Sequence, residues 1–83
     1  MAEKTYQLVC AEIVRSLEKE RKRKGLSRYA VAAQCGLSEQ MIGYVERGLR
    51  NPSLETVVRL AAGIGVDLAV IIKRAYKSAG GND

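Results

Sequence analysis

RYAVAAQCGLSEQMIGYVER, residues 28–47 of an 83-residue chain, contains two short helical segments separated by a glycine-containing turn at residues 35–38. Two helices joined by so short a turn must cross at a large angle. A close crossing requires small side chains, and Ala32 lies four residues before Gly36. The stretch therefore predicts a helix-turn-helix unit.

Capping residues and glycines divide the rest of the chain in the same way. Ser or Asp opens each later segment and a glycine follows each segment, as is typical of helix ends. The candidate N-caps are Ser27, Ser38, Ser53 and Asp67, and the closing glycines are Gly25, Gly36, Gly48, Gly65 and Gly80. Five helices are predicted, at about residues 5–24, 28–35, 39–47, 54–64 and 68–78. They form an all-α domain at residues 1–79, followed by a flexible tail at 80–83.

Hydrophobic periodicity agrees with this division. The predicted buried stripes are Tyr6, Val9, Ile13 and Leu17 in the first helix, and Leu54, Val57, Leu60, Ala61 and Ile64 in the fourth. Residues 68–72 are rich in β-branched side chains, which also suits a strand. A helix is preferred because no partner strand is predicted and residues 73–77 continue it to a positively charged end.

The composition excludes most enzymes and metalloproteins. The chain has no His and two Cys, so thiols and imidazoles cannot supply four zinc ligands, and neither a metal nor a cofactor is expected. Nothing resembles a nucleophile with its base, so catalysis is not expected. A disulfide between Cys10 and Cys35 is conceivable, but both lie among apolar neighbours and are interpreted as reduced core residues. No signal peptide or membrane span is predicted, which favours the cytoplasm.

The charge balance makes an anionic partner plausible. Lys and Arg total 14 against 9 Asp and Glu, which leaves a net charge of +5. Seven of these cations lie within residues 15–28, together with Glu18 and Glu20. The cluster alone fits either a solvated helix face or a surface that contacts an anion.

Residues 28–47 resemble the helix-turn-helix of the lambda-repressor-like (Cro/XRE) family. The matching positions are Ala32, the turn glycine Gly36, and the apolar residues Val31, Leu37, Ile42 and Val45. The resemblance extends to Ile13, Leu17, Arg21, residues 25–27, residues 46–48, residues 51–56, Leu60 and Ala61. It covers about residues 11–72.

The resemblance implies a five-helix domain whose third helix enters the major groove of DNA while the second lies across the backbone. The base readers it implies are Glu39, Gln40, Gly43 and Tyr44. Gln40 suits adenine, Glu39 suits the amino group of cytosine, and Tyr44 can offer a hydroxyl or pack on a thymine methyl. Gln40 is the principal candidate.

The same resemblance implies phosphate contacts and a structural ion pair. The implied phosphate contacts are Arg28, Ser38, Arg47, Arg50 and Asn51. The family usually places Gln at the first position of the second helix, where this chain has Arg28. Arg21 and Glu46 occupy the positions that form an ion pair between the first and third helices.

Three features depart from the family pattern. Gly43 and Gly63 fall inside predicted helices, and the first helix begins about six residues early. The fifth helix is more apolar than one small core requires, so a dimer contact is predicted through Val70, Ile71, Ala75 and Tyr76.

The sequence thus predicts a transcriptional regulator, a repressor, that binds a palindromic double-stranded DNA operator as a homodimer. The alternative is a protein-interaction module on the same fold, such as an antitoxin or a co-regulator. No membrane partner and no small-molecule ligand are expected.

Overall fold

The computed structural model describes residues 3–80. Five helices follow one another in the chain: α1 at Glu3–Arg23, α2 at Arg28–Cys35, α3 at Glu39–Glu46, α4 at Leu54–Ile64 and α5 at Leu68–Ser78. The described residues contain no strand, so the predicted all-α class is confirmed. The ends of α1 and α3 differ from the predicted ends by one or two residues. Residues 81–83 of the predicted tail lie outside the described residues, and the extent of the domain stays a prediction.

The helix ends form as the capping residues predict. Ser27, Ser38 and Ser53 each accept a hydrogen bond from the backbone N–H three residues later, and Asp67 accepts one from Ala69. Gly36 takes a left-handed conformation with φ of 72°, and its N–H donates to the carbonyl of Ala32. Because side chains disfavour this conformation, Gly36 lets the backbone turn from α2 into α3.

The core lies where α2, α3 and α4 meet α1 and α5. Its most completely buried large side chains are Val31, Ile42 and Val45, which come from the helix-turn-helix itself. Around them pack Leu17, Cys35, Leu60, Ala61, Ile64 and Ile71. Helix α3 is therefore held by its own buried face.

The crossing of α2 and α4 is close because Gly63 has no side chain. A Cβ added there would lie 2.9 Å from Cys35 Cβ and 3.2 Å from Val31 Cγ1. A side chain on α4 also spans this junction, since Arg59 Nη1 donates to the carbonyl of Cys35 at 3.2 Å. Gly63 thus sets the spacing between α2 and α4. The sequence had pointed to Ala32 as the small residue at a different crossing, that of α2 and α3.

Three residues predicted to be buried are exposed. Tyr6 and Leu54 are 54% and 74% exposed, because each lies in the opening turns of its helix, where fewer elements surround it. Cys10 is also exposed, since Val9 rather than its neighbour faces the core. The stripe of α1 therefore begins at the buried Val9, and that of α4 begins at the partly buried Val57. The interpretation of Cys35 as a buried free thiol is confirmed.

The predicted dimer contact on α5 needs correction. Ile71 and Ala75 are 2% and 1% exposed because they pack inside the protomer, with α5 against α1. They are not available to a second copy, and that part of the prediction is wrong. Val70 and Tyr76 remain partly exposed.

Within residues 3–80, no helix combines the length and the apolar character needed to cross a membrane.

Candidate nucleic-acid interface

Helix α3 presents one polar face to solvent. The hydroxyl of Ser38 caps its first turn by accepting from the N–H of Met41 at 3.0 Å. Ile42 and Val45 anchor the opposite face in the core. Glu39 and Gln40 are exposed and Tyr44 is partly exposed, so the structure brings three of the predicted base readers to one surface.

Gln40 and Tyr44 are hydrogen-bonded to each other. Gln40 Nε2 donates to the hydroxyl of Tyr44 at 2.7 Å, across one turn of the helix. An amide nitrogen carries two hydrogens, so one N–H and the carbonyl oxygen of Gln40 remain for another partner. The bond therefore orients the Gln40 side chain without using all of its hydrogen-bonding groups.

Two guanidinium groups lie near the ring of Tyr44. The Cζ atoms of Arg47 and Arg50 are 5.8 Å and 5.6 Å from the ring centroid. At these distances the π-system attracts a cation, with a contribution of about 0.5–1 kcal/mol at an exposed site. The ring of Tyr44 therefore holds two positively charged side chains near the end of α3.

Gly43 lies at the floor of an open hollow on this surface. Its walls come from Arg28, Glu39, Gln40 and Arg47. A Cβ on Gly43 would lie 3.3 Å from Arg47 Nη1 and 3.6 Å from Arg28 Nη1. Gly43 is itself buried in this arrangement, and its role as a base reader stays a prediction. The absent side chain makes room for the guanidinium of Arg47, which lies closest.

Glu46 connects α3 to both α1 and α2. Arg21 Nε and Nη2 donate to its two carboxylate oxygens at 2.7 and 2.9 Å, and Arg28 Nε donates to Oε1 at 2.8 Å. The remaining Arg21 nitrogen, Nη1, donates to the carbonyl of Leu26 at 2.8 Å. The predicted Arg21–Glu46 pair is thus present, and Arg28 joins it.

Burial and ion pairing act oppositely on Glu46. Burial raises the pKa of its carboxyl, but the hydrogen bonds and charges of Arg21 and Arg28 outweigh burial and hold the pKa below its ordinary value. Glu46 in turn raises the pKa of Arg28, mainly by accepting its hydrogen bond. The cluster is therefore ionised at neutral pH, and it fixes the end of α3.

The predicted phosphate contacts surround α3. Ser38 is at its start, Arg47 at its end, and Arg50 and Asn51 in the exposed loop before α4. Arg28 begins α2, and its side chain is about one third exposed (33%). All five therefore lie at the ends of α3 or in the segments before and after it in the chain.

The basic cluster of α1 is largely paired within the protein. Arg15, Lys22 and Arg23 form ion pairs with Glu12, Glu18 and Glu20. Lys24 Nζ donates to the carbonyls of Ile64 and Gly65 at 3.0 and 2.8 Å, which caps α4. These contacts favour the interpretation of the cluster as a helix surface with structural roles.

Sequence reasoning missed the contact between Arg28 and Glu46. The two residues are 18 apart in sequence, and no local spacing rule connects them. The only available signal is the departure from the usual Gln at the first position of α2.

The fold and this surface define a helix-turn-helix protein of the regulator class. The family described as helix-turn-helix matches residues 17–71. The chain therefore belongs to the Cro/XRE-type helix-turn-helix family, which is a family of transcription regulators and not of enzymes.

Similar proteins agree with this assignment. An uncharacterised helix-turn-helix transcriptional regulator, y4dJ of Sinorhizobium fredii, is 44% identical over 46 residues, covering 55% of this chain and 60% of that protein. Another, from Haemophilus influenzae, is 30% identical over 59 residues, covering 71% of this chain and 60% of that protein. The alignments thus span about 60% of the length of these relatives.

The fold also resembles a solved structure. It superposes with a TM-score of 0.79 and 21% identity on a mutant of the restriction-modification controller protein C.Esp1396I, covering 90% of this chain and 97% of that chain. At 21% sequence identity, this similarity is evidence for the fold only.

Proposed function

We propose that this protein is a sequence-specific DNA-binding repressor that places α3 in the major groove of a palindromic operator. The observation that carries the proposal is the polar face of α3, where Glu39, Gln40 and Tyr44 lie together above a rigidly anchored helix. Residues at the start of a recognition helix are the ones that reach base edges. The proposed site of action is the cytoplasm.

Gln40 is the principal proposed reader. Its free N–H can donate to adenine N7 while its carbonyl oxygen accepts from adenine N6. The second N–H stays on Tyr44, so the two-bond contact with adenine does not require breaking the Gln40–Tyr44 bond. Because this bond already restricts the side chain, Gln40 loses less conformational freedom when it binds DNA.

Contacts to the DNA backbone on both sides of α3 are proposed to hold the helix in a fixed position relative to the base pairs. Ser38 is at one end of the helix, and Arg47, Arg50 and Asn51 follow the other end. Phosphate contacts of this kind fix orientation without reading sequence. The guanidiniums near Tyr44 supply the positive charge for them.

A homodimer is part of the proposal, and we place its contact on α4. Leu54 and Val58 are 74% and 50% exposed and lie one turn apart on one helix face, while Leu49 in the preceding loop is 65% exposed. This apolar face directly follows the recognition helix in the chain. A palindromic operator requires two copies of α3 spaced about 34 Å apart, one turn of the duplex.

The test is selection from a random duplex pool, followed by binding titrations at 50 and 200 mM salt. We expect an enriched sequence whose affinity falls about a hundredfold or more over this range, because several Arg contacts per dimer release counterions. No enriched sequence, or binding that is insensitive to salt, would contradict the proposal. A stoichiometric protein partner whose capture survives Gln40→Ala, together with no enriched duplex, would instead favour the interaction-module function.

A further inference from the structure

Arg28 is held in a way that a simple phosphate anchor does not require. Its Nε donates to Glu46 at 2.8 Å, and Glu46 is itself fixed by two hydrogen bonds from the buried Arg21. The Glu46 side chain is 6% exposed and that of Arg21 is 9% exposed. A guanidinium supported by so rigid a carboxylate has little rotamer freedom left to lose on binding.

The guanidinium group of Arg28 lines the hollow on α3. It forms a wall of the hollow that Glu39 and Gln40 also line. Its Nη1 atom would lie 3.6 Å from a Cβ on Gly43, an ordinary van der Waals distance, so the guanidinium lies against α3. Arg28 thus shares a surface with the residues proposed to face the bases, although it belongs to α2.

The free edge of this guanidinium has a defined chemistry. The bond to Glu46 uses Nε, which leaves Nη1 and Nη2 as two roughly parallel donors. Guanine presents two neighbouring acceptors, N7 and O6, in the major groove, and arginine bound through both is the commonest specific contact there. A phosphate accepts the same fork, but Arg28 lines the same hollow as Glu39 and Gln40, the residues proposed to face the bases.

We propose that Arg28 reads a guanine in each operator half-site, beside the base read by Gln40. The inference rests on the proposed DNA-binding function and assigns a second specificity-determining residue, supplied by α2 and positioned by Glu46. It replaces the phosphate contact expected for Arg28 from the sequence.

The test uses duplexes in which each guanine of the selected half-site is replaced in turn by 7-deazaguanine, which lacks the N7 acceptor. Wild-type protein should lose affinity sharply at one of these guanines, and Arg28→Gln should be insensitive to that replacement. Arg28→Gln should also lower the preference for G·C at that pair by about 5- to 150-fold. Arg15→Gln, which changes an arginine of α1 whose side chain is 72% exposed, is the matched control and should leave base preference unchanged.

Uniform weakening of all duplexes by Arg28→Gln, with the salt slope reduced by about one and no position-specific effect of 7-deazaguanine, would show a phosphate contact and overturn the inference. Because the 7-deazaguanine series on wild-type protein needs no substitution, insensitivity at every guanine overturns the inference even if a variant fails to fold. Absence of any selected duplex would instead contradict the proposed function itself, so the two failures are distinguishable.

Discussion

At the scale of single residues, the Glu46 cluster determines how firmly α3 is held. One buried carboxylate receives hydrogen bonds from Arg21 on α1 and Arg28 on α2. Removing one partner of a buried pair leaves the other charge without compensation, and this costs more than the pair contributes. The residues of the cluster should therefore be far more sensitive to substitution than other charges of α1.

Arg21→Ala should lower the free energy of unfolding by about 3 kcal/mol, because it removes two of the three hydrogen bonds to the buried Glu46, leaves only Arg28 to compensate its charge, and frees the carbonyl of Leu26. Lys22→Ala is the control one residue away. Lys22 is paired with Glu18 at the surface, with 64% of its side chain exposed, so its loss should cost about 1 kcal/mol or less. Urea titrations of both variants measure the difference, and equal losses would contradict the role given to Arg21.

Acid should weaken the same cluster. Because the pKa of Glu46 is lower in the folded protein, folding favours its ionised form. The resulting stability is fully present above the unfolded pKa of about 4.3 and is lost as the pH falls through the folded pKa. The difference in unfolding free energy between wild type and Glu46→Gln should therefore be large at pH 7 and shrink steadily below about pH 4.5. Urea titrations across this range check it, and a difference independent of pH would refute the assignment.

At the scale of helices, the glycines inside α3 and α4 have different roles. A Cβ on Gly63 meets the core of α2 at 2.9 and 3.2 Å, whereas a Cβ on Gly43 meets the end of the exposed Arg47 side chain at 3.3 Å. Packed core atoms cannot move away cheaply, but an exposed guanidinium can. The same substitution should therefore have opposite effects at the two positions.

Gly63→Ala should destabilise the protein, because overpacking costs about 1–3 kcal/mol and exceeds the gain in helix propensity of about 1 kcal/mol. Gly43→Ala should be neutral or stabilising by up to about 1 kcal/mol, since Arg47 can shift. Thermal and urea denaturation of the two variants measure the signs. Stabilisation by Gly63→Ala, or marked destabilisation by Gly43→Ala, would contradict this description of the helix contacts.

The limits of sequence reasoning are also clearest at this scale. Ser27, Ser38, Ser53 and Asp67 fixed the helix starts because capping is local. The family resemblance located the Arg21–Glu46 pair. Burial at helix ends was not predictable, because periodicity assigns Leu54 to a face without showing whether another element covers it. The apolar content of α5 suggested a dimer contact, yet Ile71 and Ala75 pack against α1, a contact that no local pattern reveals.

The hollow on α3 shows the same limit within the candidate site. Gly43 was expected to read a base, but it is buried, and beside it lies Arg28, which comes from α2. The bond between Gln40 and Tyr44 has helical i, i+4 spacing and is the kind of contact that the sequence can suggest. Contacts between distant residues required the structure.

At the scale of the whole molecule, the proposed homodimer depends on the exposed apolar face of α4. Val58→Asp places a charge within this face and should shift the protein towards monomer, with weaker operator binding. Val70→Asp, at a similarly exposed residue of α5, is the control and should leave the dimer intact. Sedimentation equilibrium measures both. A wild-type monomer at high concentration, or dissociation only by Val70→Asp, would contradict the α4 contact.

The central claim is that the exposed side chains of α3 read base sequence, and Gln40 tests it most directly. Wild type and Gln40→Ala should be titrated against the selected operator and against duplexes with each A·T pair of the half-site changed in turn. The account predicts that Gln40→Ala removes the preference for adenine at one pair, worth about 5- to 150-fold, and leaves the salt dependence unchanged. If Gln40→Ala binds every duplex with the same relative affinities as wild type, α3 does not read the operator through Gln40 and the account is wrong.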